Sequence, residues 1–180
     1  MDSLNGCLIK YADSPSVYFS GGAATAQAMN TDTRIRGGVN LDGLLFGPVV
    51  TTGFRGEEQD KIKQSFVLWG AELHNTTQDT NWRSFWSALG EENVWKKELS
   101  LKGGAHGAFW DLNLIADVAG VRDKLGQYTE EDLLSGLPGA RVYKIVGEYL
   151  DDYFQFALGT TKSAGLLKGP SSQYPEVEFL

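Results

Sequence analysis

The 180-residue sequence holds one cysteine, Cys7, and only two histidines, His74 and His106. A single thiol excludes an intrachain disulfide and leaves no thiolate cluster to hold zinc. One free thiol fits a reducing compartment without fixing it. Positive charge is also scarce: 16 Lys and Arg stand against 23 Asp and Glu, for a net charge of −7 and a pI near 4.8. Contacts to phosphates need a basic face, so the balance argues against a nucleic-acid partner. Long apolar runs are missing too. Leu44-Leu45-Phe46 and Phe66 to Trp69 are strand-sized, well short of the roughly 20 residues that cross a bilayer. Stable membrane insertion is therefore not expected. Met1 to Lys10 lacks a charged start followed by an apolar core, so no signal peptide is read there. Asn75-Thr76-Thr77 is a glycosylation sequon and points the other way, which leaves the compartment open.

What is present is the composition of a globular domain, 42% hydrophobic and 22% charged, in a chain long enough for one sizeable core. Residues 1–16 show no period and contain the loop-like Asp13-Ser14-Pro15-Ser16. The remainder, 17–180, reads as one domain. Short strands are expected at Val17-Tyr18-Phe19, at Gly38 to Leu41, at Ser65 to Trp69 with Gly70 as its stop, and at Trp95 to Leu101. Helices are expected over Ala23 to Asn30 and over Asp79 to Leu89, the latter capped by Asp79 or Thr80. The clearest helix carries Val142, Ile145, Val146, Tyr149, Leu150, Tyr153 and Phe154 at three-four spacing, with Pro138 before it and Gly159 after it. The tail from Thr160 to Leu180 reads as loop. Strands alternating with helices predict an α/β fold, a parallel sheet of about four strands flanked by helices on both faces. The first strand begins almost at the start of the sequence, so the strands expected beyond it are missing, and the sequence reads as half of a larger design.

Three groups follow strand ends in chain order: Ser20, Asp42 and His106. The carboxyl edge of a parallel sheet is where such folds bind ligands. A serine hydroxyl needs a base to take its proton, and an imidazole serves near neutral pH. The imidazole needs a carboxylate to fix its tautomer and stabilise its cation. The order Ser, Asp, His is that of the α/β-hydrolases. Each group also has a plainer use. Ser20 suits a helix cap and Asp42 a strand-end turn, whereas His106 between glycines has no obvious place in a core.

The remaining polar and aromatic groups read as structural. His74 reads as a loop or pocket-rim residue, because two histidines 32 positions apart form no metal-ligand spacing. Trp82, Phe85, Trp86, Trp95 and Trp110 read as core before acyl-pocket lining. Asp111 suits a cap or a support for the histidine loop. Glu57-Glu58 and Glu130-Glu131-Asp132 read as solvated surface and helix starts.

Gly21-Gly22-Ala23-Ala24-Thr25-Ala26-Gln27-Ala28, then Gly37-Gly38-Val39-Asn40-Leu41-Asp42-Gly43, resembles the elbow helix and acid strand of the group II platelet-activating-factor acetylhydrolase-like esterases. Gly103-Gly104-Ala105-His106-Gly107-Ala108-Phe109-Trp110-Asp111 resembles their histidine loop. His74, Asp79, Trp82, Phe85 and Trp86 match a segment of microbial members, and Gly169-Pro170-Ser171 with Tyr174 to Phe179 resembles their C-terminus. Together these motifs cover roughly residues 17 to 180. The resemblance implies the C-terminal part of an α/β-hydrolase that cleaves short or oxidised acyl esters, phospholipid-like ones included, with no metal or cofactor. It implies Asp42 as triad acid and His106 as general base. The family elbow reads Gly-His-Ser-Phe-Gly-Gly, whereas here Val17-Tyr18-Phe19-Ser20 precedes the glycines. Ungapped, Phe19 falls on the nucleophile; with one residue deleted, Ser20 does, and the N–H of Gly21 becomes an oxyanion donor. Tyr18 stands two residues before Ser20, where the elbow has a glycine that permits its sharp turn. The resemblance thus implies a serine esterase, with a truncated, non-catalytic remnant or interaction module as the alternative.

Overall fold

The computed structural model describes residues 21–32, 34–54, 64–90, 94–125 and 133–180. The expected strand at Val17-Tyr18-Phe19, Ser20, the segment 1–16 and both acidic clusters lie outside these residues. Among the described residues no helix is long and apolar enough to cross a membrane.

Strands β1 (Gly37–Leu41), β2 (Gln64–Ala71) and β3 (Val94–Leu101) run parallel, and β4 (Val177–Phe179) closes the order β1-β2-β3-β4 antiparallel to β3. All eight residues of β2 are buried, which explains a continuous apolar run where a half-exposed strand would alternate. Gly70 does not stop β2; the strand continues to Ala71. A glycine is required there by close approach, since a Cβ would lie 1.8 Å from the backbone oxygen of His74. The tail expected to be loop contributes β4, paired with Leu99 to Leu101. Three residues are too few to show a period.

Alternate residues of β2 serve opposite faces. Phe66 and Leu68 join Met29, Trp82 and Phe85 in one core, beneath α1 (Gly21–Thr31), α2 (Val49–Thr52) and α3 (Thr80–Ala88). Val67 and Trp69 join Leu99, Leu101, Val142, Ile145, Tyr149 and Tyr153 in the other, where α6 (Gly139–Ala157) covers the sheet. Between β3 and α6 run α4 (Leu112–Val118) and α5 (Arg122–Leu125). The apolar stripe, Pro138 at the N-cap and Gly159 at φ +74° past the end set α6 as its sequence predicts. Of the two possible caps for α3, Asp79 takes the role and accepts from the N–H groups of Asn81 and Trp82. Trp82 and Phe85 belong to the first core, Trp86 packs partly buried against it, and Trp95 packs partly buried against the second.

Candidate active site

The turn after β1 presents Asp42 through three separate constraints. Its own N–H continues the sheet ladder to the carbonyl of Trp69 (2.8 Å). Asn40 clamps the turn from both sides, donating to the carbonyl of Gly43 (2.8 Å) and accepting from the N–H of Gly43 (2.9 Å). The indole N–H of Trp82 donates to the same Gly43 carbonyl (2.9 Å). Asp42 itself adopts φ +57°, a left-handed conformation that Asp and Asn tolerate better than most residues. Its side chain is buried at the carboxyl edge of the sheet.

His106 enters from the turn after β3, in a 3-10 segment spanning His106–Phe109. Its Nδ1 lies 2.5 Å from Oδ2 of Asp42. The loop is held from below: Nδ2 of Asn113 donates to the carbonyl of Gly107 (2.7 Å), and the Ser135 hydroxyl donates to that of Gly103 (2.9 Å). Gly107 passes so close to Leu133 that a Cβ would meet its carbonyl oxygen at 1.9 Å. Asp111 stands at the N-cap position of α4 without a side-chain capping bond. Trp110 sets its ring edge-on to His106, with centroids 5.0 Å apart.

The other carboxylate oxygen is occupied as well. Oδ1 of Asp42 accepts from the N–H of Ala71 (2.6 Å) and lies 2.7 Å from Nδ1 of His74. His74 does line an open surface hollow with Gln78, Asp79, Thr80 and Asn81. A pocket-rim role is nevertheless only part of its place, because its ring reaches into the site. The sequence gives one faint signal for this, in that His74 follows strand β2 at the edge that also carries Asp42 and His106. Burial works to raise the Asp42 pKa, but hydrogen bonds from His106, His74 and the Ala71 N–H outweigh it and hold the carboxyl below its usual range. For His74, burial works downward, and the carboxylates of Asp42 and Asp79 reverse it, so its pKa is raised.

Asp42 and His106 are therefore brought together, and Ser20 lies outside the described residues. Gly21 opens α1, whose first N–H groups have no partner within the helix. The first turn of α1 lies against the end of β1, because a Cβ on Gly22 would overlap the Asn40 side chain at 2.1 Å.

No family model matches the sequence. The chain is 42% identical over 162 residues to a protein of Arthroderma benhamiae described as a probable 1-alkyl-2-acetylglycerophosphocholine esterase, covering 89% of this chain and 41% of that protein. It is also similar to the solved structure of a ferulic acid esterase from Streptomyces cinnamoneus, with a TM-score of 0.68 and 28% identity over 89% of this chain and 44% of the other. The chain thus spans about two fifths of the length of each of these relatives. The second is an α/β-hydrolase, and a four-stranded sheet flanked by helices is part of that fold.

Proposed function

Because the chain corresponds to part of a platelet-activating-factor acetylhydrolase-like esterase of the α/β-hydrolase superfamily, we propose that it hydrolyses short acyl esters through Ser20, Asp42 and His106. The observation that carries this reading is the 2.5 Å contact between His106 Nδ1 and Asp42 Oδ2 at the carboxyl edge of the sheet. That contact commits Nδ1 as a donor and makes Nε2 the ring nitrogen that accepts a proton. Ser20, one residue before α1, is the nucleophile. Nε2 of His106 takes its proton as Oγ attacks the ester carbonyl, and the Gly21 N–H faces the oxyanion that forms. The protonated imidazole then gives its proton to the departing alkoxide, which leaves the acyl group on Ser20. A water, deprotonated by the same nitrogen, releases the acid and restores the serine. The relatives' named substrates, an acetylated ether phospholipid and a ferulic acid ester, support a small ester or phospholipid-like substrate.

One observation favours the alternative, a non-catalytic remnant or interaction module of the same fold: Tyr18 stands where a nucleophile elbow carries glycine. Hydrolysis of a short-chain p-nitrophenyl ester by the purified chain decides between them. The esterase reading expects turnover that is lost in both Ser20→Ala and His106→Ala. A folded chain with no turnover above background favours the remnant.

A further inference from the structure

Asp42 carries two imidazoles, and their second nitrogens have different surroundings. His74 has a carboxylate at each ring nitrogen: Nδ1 lies 2.7 Å from Oδ1 of Asp42, and Nε2 lies 3.2 Å from Oδ2 of Asp79. Asp79 is itself fixed, because its Oδ1 accepts from the N–H groups of Asn81 (2.7 Å) and Trp82 (3.0 Å) at the start of α3. The His74 ring also rests on the indole of Trp82, centroids 4.2 Å apart and tilted by 34°. With Nε2 turned to Asp79, His74 has no nitrogen to offer a nucleophile. Its geometry suits an imidazolium that donates on both sides.

We propose that His74 is a positioning residue of this site, a bridge from the capping carboxylate of Asp79 to Oδ1 of Asp42 that leaves Oδ2 directed at His106. The proposal rests on the esterase reading above. The Ala71 N–H fixes one direction of approach to Oδ1; His74 supplies a second, so the plane of the carboxylate is set by one donor from the end of β2 and one from the β2–α3 connection. Among the described residues, the charged groups facing the His74 ring are Asp42 and Asp79, with His106 across the Asp42 carboxylate. Glu98 and Arg83 grip the same connection further along, Glu98 at Thr76 and Arg83 at the carbonyls of Thr76 and Thr77. An imidazolium between two carboxylates neutralises part of the negative charge buried at Asp42, which keeps that buried carboxylate ionised.

Two substitutions separate this role from packing. His74→Phe keeps a ring on Trp82 and removes both nitrogens, whereas His74→Asn keeps an N–H donor near the Nδ1 position and removes the ring. Misplacing a reacting group by about 1 Å costs on the order of 10²-fold, so kcat for the p-nitrophenyl ester should fall by about that factor in His74→Phe. KM should stay within about twofold, and His74→Asn should recover most of the loss. A packing residue would give the reverse order, with Phe near wild type, and that result overturns the proposal.

A second measurement does not need turnover. With only two histidines in the sequence, NMR titration of their ring protons assigns each by substitution of the other. His74 should titrate above the roughly 6.5 of free imidazole, and its midpoint should fall in Asp79→Asn, which keeps a side chain able to cap α3. A His74 midpoint that Asp79→Asn leaves in place overturns the bridge. If the wild-type chain cleaves no ester, the esterase reading fails alone, and the titration still decides whether His74 bridges the two carboxylates.

Discussion

Asp42 combines three properties that are individually uncommon: burial, a positive φ and three donors to its carboxylate. A left-handed conformation costs an L-residue about 1–2 kcal/mol, and the paired Asn40–Gly43 bonds, each contributing about 0.5–1.5 kcal/mol, are of the size needed to offset it. On the esterase reading, Asp42→Asn should lower kcat by about 10⁴, because an amide allows the wrong imidazole tautomer; ester kinetics on a variant shown to be folded by circular dichroism checks this. Tyr153 offers a contrasting residue outside the site. Its buried hydroxyl accepts from the Gly38 N–H (2.9 Å) and lies 2.8 Å from the carbonyls of both Gly38 and Ser65, tying α6 to β1 and β2. Burial raises its pKa well above that of a free phenol, so it stays a neutral donor. Tyr153→Phe should cost about 1–3 kcal/mol in urea denaturation, the penalty for stranded backbone groups, with ester kcat unchanged.

Among the elements, β2 matters most to the site. Its last residue, Ala71, donates to Asp42, and the connection that follows carries His74. Gly70 lets that connection fold back over the strand end, with no room for a Cβ against the His74 carbonyl. Gly70→Ala should therefore push His74 away from Asp42, costing about 1–3 kcal/mol of stability, as overpacking does. Ester kcat should fall along with the denaturation midpoint; a variant as stable as wild type would show that the connection relaxes freely. The histidine loop depends in the same way on α4, through Asn113 and Gly107. Asn113 is tied in turn to Arg122, whose guanidinium also pairs with Asp117 and holds that carboxyl down to about 2.

For the whole molecule, the site couples stability to pH in two directions. The folded pKa of Asp42 is lowered, so its stabilisation is fully present above the unfolded value of roughly 3.9 and is lost as pH falls through the folded value. The folded pKa of His74 is raised, so its stabilisation is fully present below roughly 6.5 and is lost as pH rises through the folded value. Thermal unfolding across pH 2–9 should thus show an acid limb that Asp42→Asn flattens and a neutral-to-alkaline decline that His74→Phe flattens. Unchanged limbs in both variants would mean that neither group is coupled to folding.

Local pattern sufficed for the α/β alternation, the three parallel strands, the stripe of α6 and the cap of α3, because each is written within a few neighbouring residues. The same holds for Asp42 and His106 as candidates, since strand ends and chain order select them and the resemblance to known esterases names them. Gly70 misleads as a strand stop because its reason is a contact with His74, outside the strand itself. β4 is only three residues long and gains its identity from pairing with Leu99 to Leu101. The arrangement of His74 was decided by tertiary structure alone. Its ring meets a carboxylate 32 residues away in sequence, and no spacing rule joins the ends of two parallel strands. Sequence determined which residues could do chemistry; folding the strand ends to one edge determined that a single carboxylate would hold two imidazoles.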